Sequence, residues 1–430
     1  MSAPPPERAT GPRRPSIVCL AFSPIARDAR VLRQARALAT LGDVVVYGYG
    51  PRADDGRDLG GGARFAAIGA PSRGGIVDRL AKAALLVLGR IAPRRWRGAL
   101  YHRWYWRYEL YMRARIALVA HAPDVIVAND WNALPVAIEA GRALGAGVVV
   151  DLHEFAPRQF ENRPFWRIFV APAIDRLLAD HLPRTNAAIT VGDALAEAYA
   201  SRYGVRPVVV LNAPARRDAP LSSPTPTDPH TIRLVHHGVA ARGRHLETML
   251  EAVAAAGDRF TLDLVLVPTD VAYIAELTAL AARRAPTRIT VRPPVAPDDI
   301  VAMLAGYDVG IFVLPPTTFN HANAMPNKLF DFIAAGLAVC VGPSPAMADL
   351  VRRHGCGVVA DGFDAAATAR CLAALTGEAI DRYKAASRVA AASLNAETEA
   401  ETLRDVVAGV LAAHPLGRRP DEAAALDDGG

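Results

Sequence analysis

Short runs of β-branched and other apolar residues alternate with longer stretches of helical periodicity through most of this chain, and that rhythm limits what it can fold into. Six runs in the first half read as strands: Ile17–Ala21, Val44–Tyr47, Val125–Ala128, Val148–Asp151, Ala188–Val191 and Val208–Leu211. Six more follow in the second: Ile232–His236, Leu262–Val267, Ile289–Val291, Val309–Val313, Ala338–Val341 and Gly357–Val359. Between them lie segments such as Asp28 to Leu41, where Val31, Leu32, Ala35, Leu38 and Ala39 fall on one helical face. Mostly apolar strands separated by helices indicate parallel sheets covered on both faces. The rhythm breaks in the middle, where residues 213–231 contain five prolines and only Leu221 as a large apolar side chain. Such a stretch forms neither a helix nor a central strand and reads as a linker. The expected fold class is therefore α/β, with two doubly wound domains, 15–212 and 232–395, facing a central cleft. Residues 1–14 and 414–430, rich in Pro, Gly and charge, read as disordered tails.

At 430 residues with 51% hydrophobic side chains, each half has enough apolar surface for a core of its own, which excludes a disordered chain. Cys19, Cys340, Cys356 and Cys371 are too few and too scattered for a disulfide framework or a zinc site, and they suit a reducing compartment. The long uncharged stretches are broken by prolines and glycines, so none reads as a membrane span. The first fifteen residues have positive charge but no apolar core, unlike a secretory signal. The formal net charge of +6 is unevenly spread. Between Arg73 and Arg115, eleven Lys and Arg face only Asp78 and Glu109, so this one segment exceeds the whole excess.

In a doubly wound sheet, ligands bind beyond the carboxyl ends of the strands, so the loops there carry the chemistry. The most informative is Phe319 to Gly336, FNHANAMPNKLFDFIAAG, which follows a strand and opens a helix. Pro326 suits a first helical turn. The free N–H groups near Asn327 and Lys328 form an anion site to which Lys328 adds a full charge. One turn on, Asp331 can accept hydrogen bonds from adjacent hydroxyls. A phosphate reader followed by a diol reader suits a nucleotide; the plainer alternative is a capped helix with a solvated Lys and Asp. The loop after Ile232–His236 holds Gly238, which permits close backbone approach, and Arg242 and Arg244, whose guanidinium groups can hold a phosphate bidentately. Its plainer alternative is a solvated basic turn. Asp151-Leu152-His153-Glu154 ends another strand; a lone His or Glu is more often structural, but its place at a strand's carboxyl end favours a functional role. Asn129-Asp130-Trp131-Asn132 ends a third and reads as scaffold within reach of an acceptor, with Asn132 able to cap the next helix.

These residues resemble the family 4 (group 1) glycosyltransferases, which have the two-Rossmann-domain GT-B fold. The resemblance extends over most of 16–413. Its most specific carriers are PNKLFDFIAAGLAVCVG, GVAARGRHLE after a strand, and DLHEF, and DARVLRQARALATLGDVVVYG looks like the family's first helix and second strand. It implies that 15–212 is the acceptor-side domain, that 232–395 binds a nucleotide-diphosphate sugar, and that 396–413 is a helix returning to the N-terminal domain. It implies that Gly238, Arg244 and Lys328 surround the diphosphate, that Asp331 meets the ribose, and that His153 lies near the donor sugar. Arg242, Asn323, Pro326 and Asn327 complete the donor-binding candidates; Asp28, Asp130 and Glu154 are those on the acceptor side. Where the family usually has two Glu seven residues apart, this chain has Asn323 and Asp331, and Val239 stands where an Arg often follows the glycine.

The expected function is transfer of a sugar, with retention of configuration, to a glycan or lipid-linked acceptor in envelope or surface polysaccharide synthesis. Catalysis rests on His153, Arg244 and Lys328. No cofactor is expected, and the absence of an Asp-x-Asp sequence argues against metal-dependent transfer. The basic segment also contains Trp96, Trp104, Trp106, Tyr101, Tyr105, Tyr108 and Tyr111. Cations with aromatics suit an anionic membrane surface, which would make this a cytoplasmic protein peripheral at the inner face of the cell membrane. The alternative is a pair of helices whose aromatics pack inward beneath solvated Arg heads. Nothing resembles a nucleic-acid motif, so no nucleic-acid partner is expected. A non-catalytic sugar-nucleotide or glycan-binding protein on the same scaffold is the competing class. A dehydrogenase is disfavoured because neither half opens with Gly-x-Gly-x-x-Gly.

Overall fold

A computed structural model of the chain describes residues 13–70, 74–216 and 226–414. Most of the two expected tails, the middle of the expected linker and Arg73 lie outside the described residues. The first sheet contains β1 (Ser16–Pro24), β2 (Asp43–Tyr49), β3 (Arg64–Ala67), β4 (Val125–Asn129), β5 (Gly147–Leu152), β6 (Ala187–Thr190) and β7 (Val208–Val209), in the order β3-β2-β1-β4-β5-β6-β7. The second contains β8 (Ile232–Val239), β9 (Phe260–Val267), β10 (Ile289–Arg292), β11 (Val309–Phe312), β12 (Ala338–Val341) and β13 (Gly357–Val359), in the order β10-β9-β8-β11-β12-β13. Pairing is parallel, as the apolar runs predict.

All twelve expected strands are present, with Val208–Leu211 shortened to two residues. The added strand is β3, RFAA, whose single large apolar residue Phe65 follows three glycines. It lies at the sheet edge, and Phe65 packs so closely under Gly50 that a Cβ there would lie 2.5 Å from its ring.

The described residues fall into two compact units, one drawn from 1–151, 177–188 and 403–430, the other from 152–176 and 189–402. These divisions differ from the expected break at 213–231. Within the second unit, the segment after β5 is tied to residues far along the chain. The Phe155 N–H donates to Asn320 Oδ1 at 2.8 Å, Asn320 Nδ2 donates back to the Phe155 carbonyl at 3.3 Å, and the rings of Phe155 and Phe319 are 5.5 Å apart. Composition along the chain carries no trace of such ties. The helix Ala396–Ala413 is present, and its residues from Leu403 onward group with the first unit.

In the first unit, helix α1 (Ala29–Leu38) begins at Asp28, whose carboxylate accepts from the Val31 N–H at 3.1 Å. Every residue of β4 and β5 is buried. Three further helices follow β3: α2 (Ile76–Ile91), α3 (Arg94–Trp106) and α4 (Glu109–His121). Tyr101, Trp104 and Tyr105 are buried, and the Tyr105 and Tyr111 rings stack at 4.4 Å. Of the seven aromatics expected at a membrane surface, only Trp96 is exposed. Tyr101, Trp104 and Tyr105 follow the inward-packing alternative, and Trp106, Tyr108 and Tyr111 are half-buried. Rings with polar tips can bury their apolar bodies and still reach a partner, as the Tyr105 hydroxyl does at the Asn132 carbonyl, 2.6 Å away.

In the second unit the strands alternate between two apolar layers, Leu234, Leu262, Leu264 and Ile311 on one face, Val235, Val265 and Phe312 on the other. The helix Asn327–Ala334 packs against β11 through a single gap: a Cβ at Gly310 would lie 2.2 Å from the Phe332 ring. Glycine at that position lets the helix sit close enough for its first turn to reach the end of β8.

Candidate active site

The order of the second sheet reverses direction between β8 and β11, and this switch point opens a crevice beyond the carboxyl ends of the strands. The loops leaving those two strands line a cavity of about 490 Å³ together with His153, Glu154, Val191 and Leu195. All of its lining residues belong to the second unit. Of the residues named from the sequence, His153, Glu154, Gly238, Arg244, Asn323, Pro326, Asn327, Lys328 and Asp331 line it.

Arg244 closes a single 3-10 turn, Arg242–Arg244, that His245 terminates in the left-handed conformation with φ 50°. The turn sends its two arginines different ways. Arg242 is not a lining residue: it pairs with Glu276 at 2.7 Å and Asp270 at 3.2 Å and lies over the Tyr273 ring. Arg244 points back over the strand end. At Gly238, where φ is +130°, a Cβ would stand 3.1 Å from Lys328 Nζ and 3.5 Å from Arg244 Nη1. The two cationic tips thus converge on one point, kept open by the missing side chain.

Among the described residues neither cation lies within ion-pair distance of a carboxylate. Burial depresses the Arg244 pKa. Burial and the neighbouring Arg244 hold the Lys328 ammonium well below the usual lysine range, against a smaller opposing pull from Asp331. Lys328 is buried and Arg244 half-buried; uncompensated buried charge is costly, so an anion placed between the two tips would be stabilised there. Lys328 is held from below by aromatic and imidazole groups. Its Nζ lies 4.2 Å over the Phe312 ring and 3.3 Å from His236 Nε2. His236 Nδ1 is 3.0 Å from the Ile311 carbonyl, which can only accept, so Nδ1 carries the proton and Nε2 accepts from Lys328. Burial and the Lys328 charge push His236 far below the ordinary histidine value of 6.5.

The helix Asn327–Ala334 starts after Pro326, which is extended (φ −76°, ψ 147°) and precedes the first helical residue instead of occupying it. Asn327 accepts from the Asn212 side chain, and Asn323 Nδ2 donates to the Phe319 carbonyl at 2.9 Å. Asp331 Oδ2 is 3.3 Å from His237 Nε2, within ion-pair range but off the line of a hydrogen bond, and that buried nitrogen has no hydrogen-bond partner among the described residues. The residues not foreseen are His236, His237, Asn320 and His321. The first two were visible as a His-His pair just before Gly238 on a strand, where neighbours point to opposite faces. Asn320 and His321 had no such signal.

Asp28 and Asp130 belong to the first unit, at the switch point of its own sheet between β1 and β4. Asp28 also accepts from Ser23 Oγ at 2.6 Å. Asp130 has φ 68° and accepts from the Trp131 N–H at 2.8 Å. Among the described residues, no group of three or more His, Cys, Asp or Glu is placed to hold a metal ion, and no helix is long and apolar enough to cross a membrane.

The unfolded chain takes up a proton at His236 near pH 6.5, whereas the folded chain resists it, so acid favours the unfolded state. Stability is expected to fall below that pH by up to about 1.4 kcal/mol per pH unit from this group, until the folded form itself protonates. His236→Asn should lose that part of the slope. Denaturant melts of both proteins across the acid range check it, and parallel profiles would refute it.

The two Rossmann-like sheets and a site at the second sheet's switch point define a GT-B protein. Solved structures with this fold include Anabaena Alr3699/HepE in complex with UDP and glucose (14% identity, covering 92% of this chain and 100% of that one, TM-score 0.64). They also include α,α-trehalose 6-phosphate synthase from Burkholderia multivorans (15% identity, 94% and 100% covered, TM-score 0.62) and a glycosyltransferase from Rickettsia africae (10% identity, 92% and 99% covered, TM-score 0.63). Residues 28–213 match the family model of Glycosyltransferase Family 4. With the GT-B fold, that match identifies a glycosyltransferase-type enzyme. None of the curated proteins matches the chain in sequence.

Proposed function

We propose that the cavity binds a nucleoside-diphosphate sugar and that the enzyme transfers its sugar, with retention and without a metal ion, to a glycan or lipid-linked acceptor in envelope or surface polysaccharide synthesis. The observation that carries this reading is the convergence of Arg244 and Lys328 on Gly238, with no carboxylate among the described residues at ion-pair distance from either. In the transfer, the bond between the anomeric carbon and the diphosphate oxygen breaks and a new one forms to an acceptor hydroxyl, whose proton passes to the departing diphosphate. Negative charge grows on that leaving group, and preorganised positive groups at such a point are usually the largest catalytic contribution. Arg244, Lys328 and the N–H groups at the start of the helix Asn327–Ala334 supply it. Asp331 receives the ribose hydroxyls, with His237 beside it, and His153 faces the donor sugar. UDP sugars are the first to test, since the Anabaena protein is described in complex with UDP and glucose. The protein works in the cytoplasm, peripheral at the inner face of the membrane, where residues 73–115 meet anionic lipid.

Thermal-shift screening of UDP, GDP and ADP sugars, with and without a chelator, followed by transfer and donor-hydrolysis assays, tests the proposal. A chelator-insensitive shift with sugar release is expected. A shift without transfer or hydrolysis would favour a non-catalytic binding protein, and no shift with any nucleotide sugar would end the proposal.

A further inference from the structure

Helix α2 of the first unit leaves most of its large apolar side chains outside. On a helical projection, Ile76, Val77, Leu80, Val87, Leu88 and Ile91 fall within one third of the circumference. That stripe faces solvent, with Ile76, Val77, Leu80 and Ile91 each exposing 65–79% of their surface. The face turned towards the unit carries buried Leu86 beside an ionic group: Lys82 pairs with Asp78 at 2.6 Å and lies 3.9 Å over the Tyr108 ring, while Arg107 reaches Asp78 at 3.2 Å. The orientation is locked, because Gly89 lies so close to α3 that a Cβ there would fall 2.3 Å from the Tyr101 ring. An ordinary surface helix does the opposite and buries its apolar stripe. Exposed Arg79 and Arg90 flank the stripe on one side, and exposed Arg94, Arg95 and Trp96 begin α3 just past its end.

We infer that this face is the seat for an anionic lipid bilayer, with the aliphatic stripe of α2 and Trp96 entering the headgroup boundary and the four arginines pairing with lipid phosphates. An apolar stripe bordered by arginines is the pattern of a helix lying in a membrane interface, and arginine stems can follow the apolar side chains down while their heads stay at the phosphates. A second copy of the chain fits less well, since a two-fold contact would set the arginine cluster against itself. The inference rests on the peripheral placement proposed above and moves it from the aromatic residues of α3 and α4, mostly turned inward, to α2. Binding of the nucleotide sugar does not depend on it.

Flotation of the full chain with vesicles of phosphatidylcholine alone, and with phosphatidylglycerol added, tests it. The chain should float with the anionic vesicles at low salt. Leu80→Glu with Ile91→Glu should reduce binding at least about tenfold. Arg94→Gln with Arg95→Gln should weaken it about fivefold per arginine and flatten its salt dependence. All four positions are exposed, so circular dichroism and the nucleotide-dependent thermal shift should not change, which separates failure here from failure of the catalytic reading. Absence of flotation with anionic vesicles at low salt, or equal flotation of the Glu variant, would overturn the inference. So would a concentration-dependent dimer, abolished by the Glu variant, in a protein that does not float.

Discussion

Replacing Lys328 with Met, or Arg244 with Ala, is expected to lower turnover of the nucleotide sugar about 100-fold or more, because removing one preorganised group at a developing negative charge costs about 3 to 4 kcal/mol. Fold and function separate cleanly here. Met keeps the aliphatic stem over Phe312 while removing an ammonium that is buried, held next to Arg244 and not paired with any carboxylate among the described residues. Relief of that buried charge offsets lost packing, so the melting temperature of Lys328→Met should not fall. Lys328→Arg should not restore turnover, since a planar fork does not occupy the place of a point charge between His236 and the Phe312 ring. Initial rates of transfer or donor hydrolysis, with a thermal melt of each variant, decide the matter. Near-normal rates in both single variants would remove the proposed mechanism.

The carboxylate of Asp151 should prove to be the most costly single group to remove from the first unit. It is fully buried at the end of β5, and the Arg30 guanidinium, itself buried on α1, grips it with Nε at 2.6 Å and Nη2 at 2.8 Å, while Gln34 donates to it as well. Asp151→Ala strands the Arg30 charge in a dry environment and is expected to destabilise the fold by about 3–5 kcal/mol. Replacing both partners, with Arg30→Met added, should recover much of that loss because nothing charged is then left unpaired. Denaturant titration of the single and double variants measures both effects. A single-variant loss below about 1 kcal/mol would mean the pair contributes no more than a surface ion pair.

Much of this architecture was legible in the residues. The β-branched runs mark strands because side chains branched at Cβ favour extended backbone, and a run without polar interruption marks a strand covered on both faces. The loop carrying Lys328 stood out because proline before a helical pattern signals a helix start. β3 was not legible, since RFAA has one large apolar residue and gains its place only by edge pairing with β2. Nor was the division of labour between Arg242 and Arg244: the two stand two residues apart, and Glu276, which holds Arg242 away, lies on another helix.

The residues by themselves determine that this chain forms two parallel sheets and that cations lie beyond the carboxyl edge of the second, because backbone preference and apolar periodicity act over neighbours in sequence. Tertiary structure alone decides which cations meet, that His236 supports Lys328, that the chain after β5 is tied to Asn320, and which face of α2 is left to solvent. Periodicity announces that a helix has two faces. Which one is covered depends on what packs against it, and here a glycine fitting a tyrosine ring and an inward ion pair turn the apolar face out.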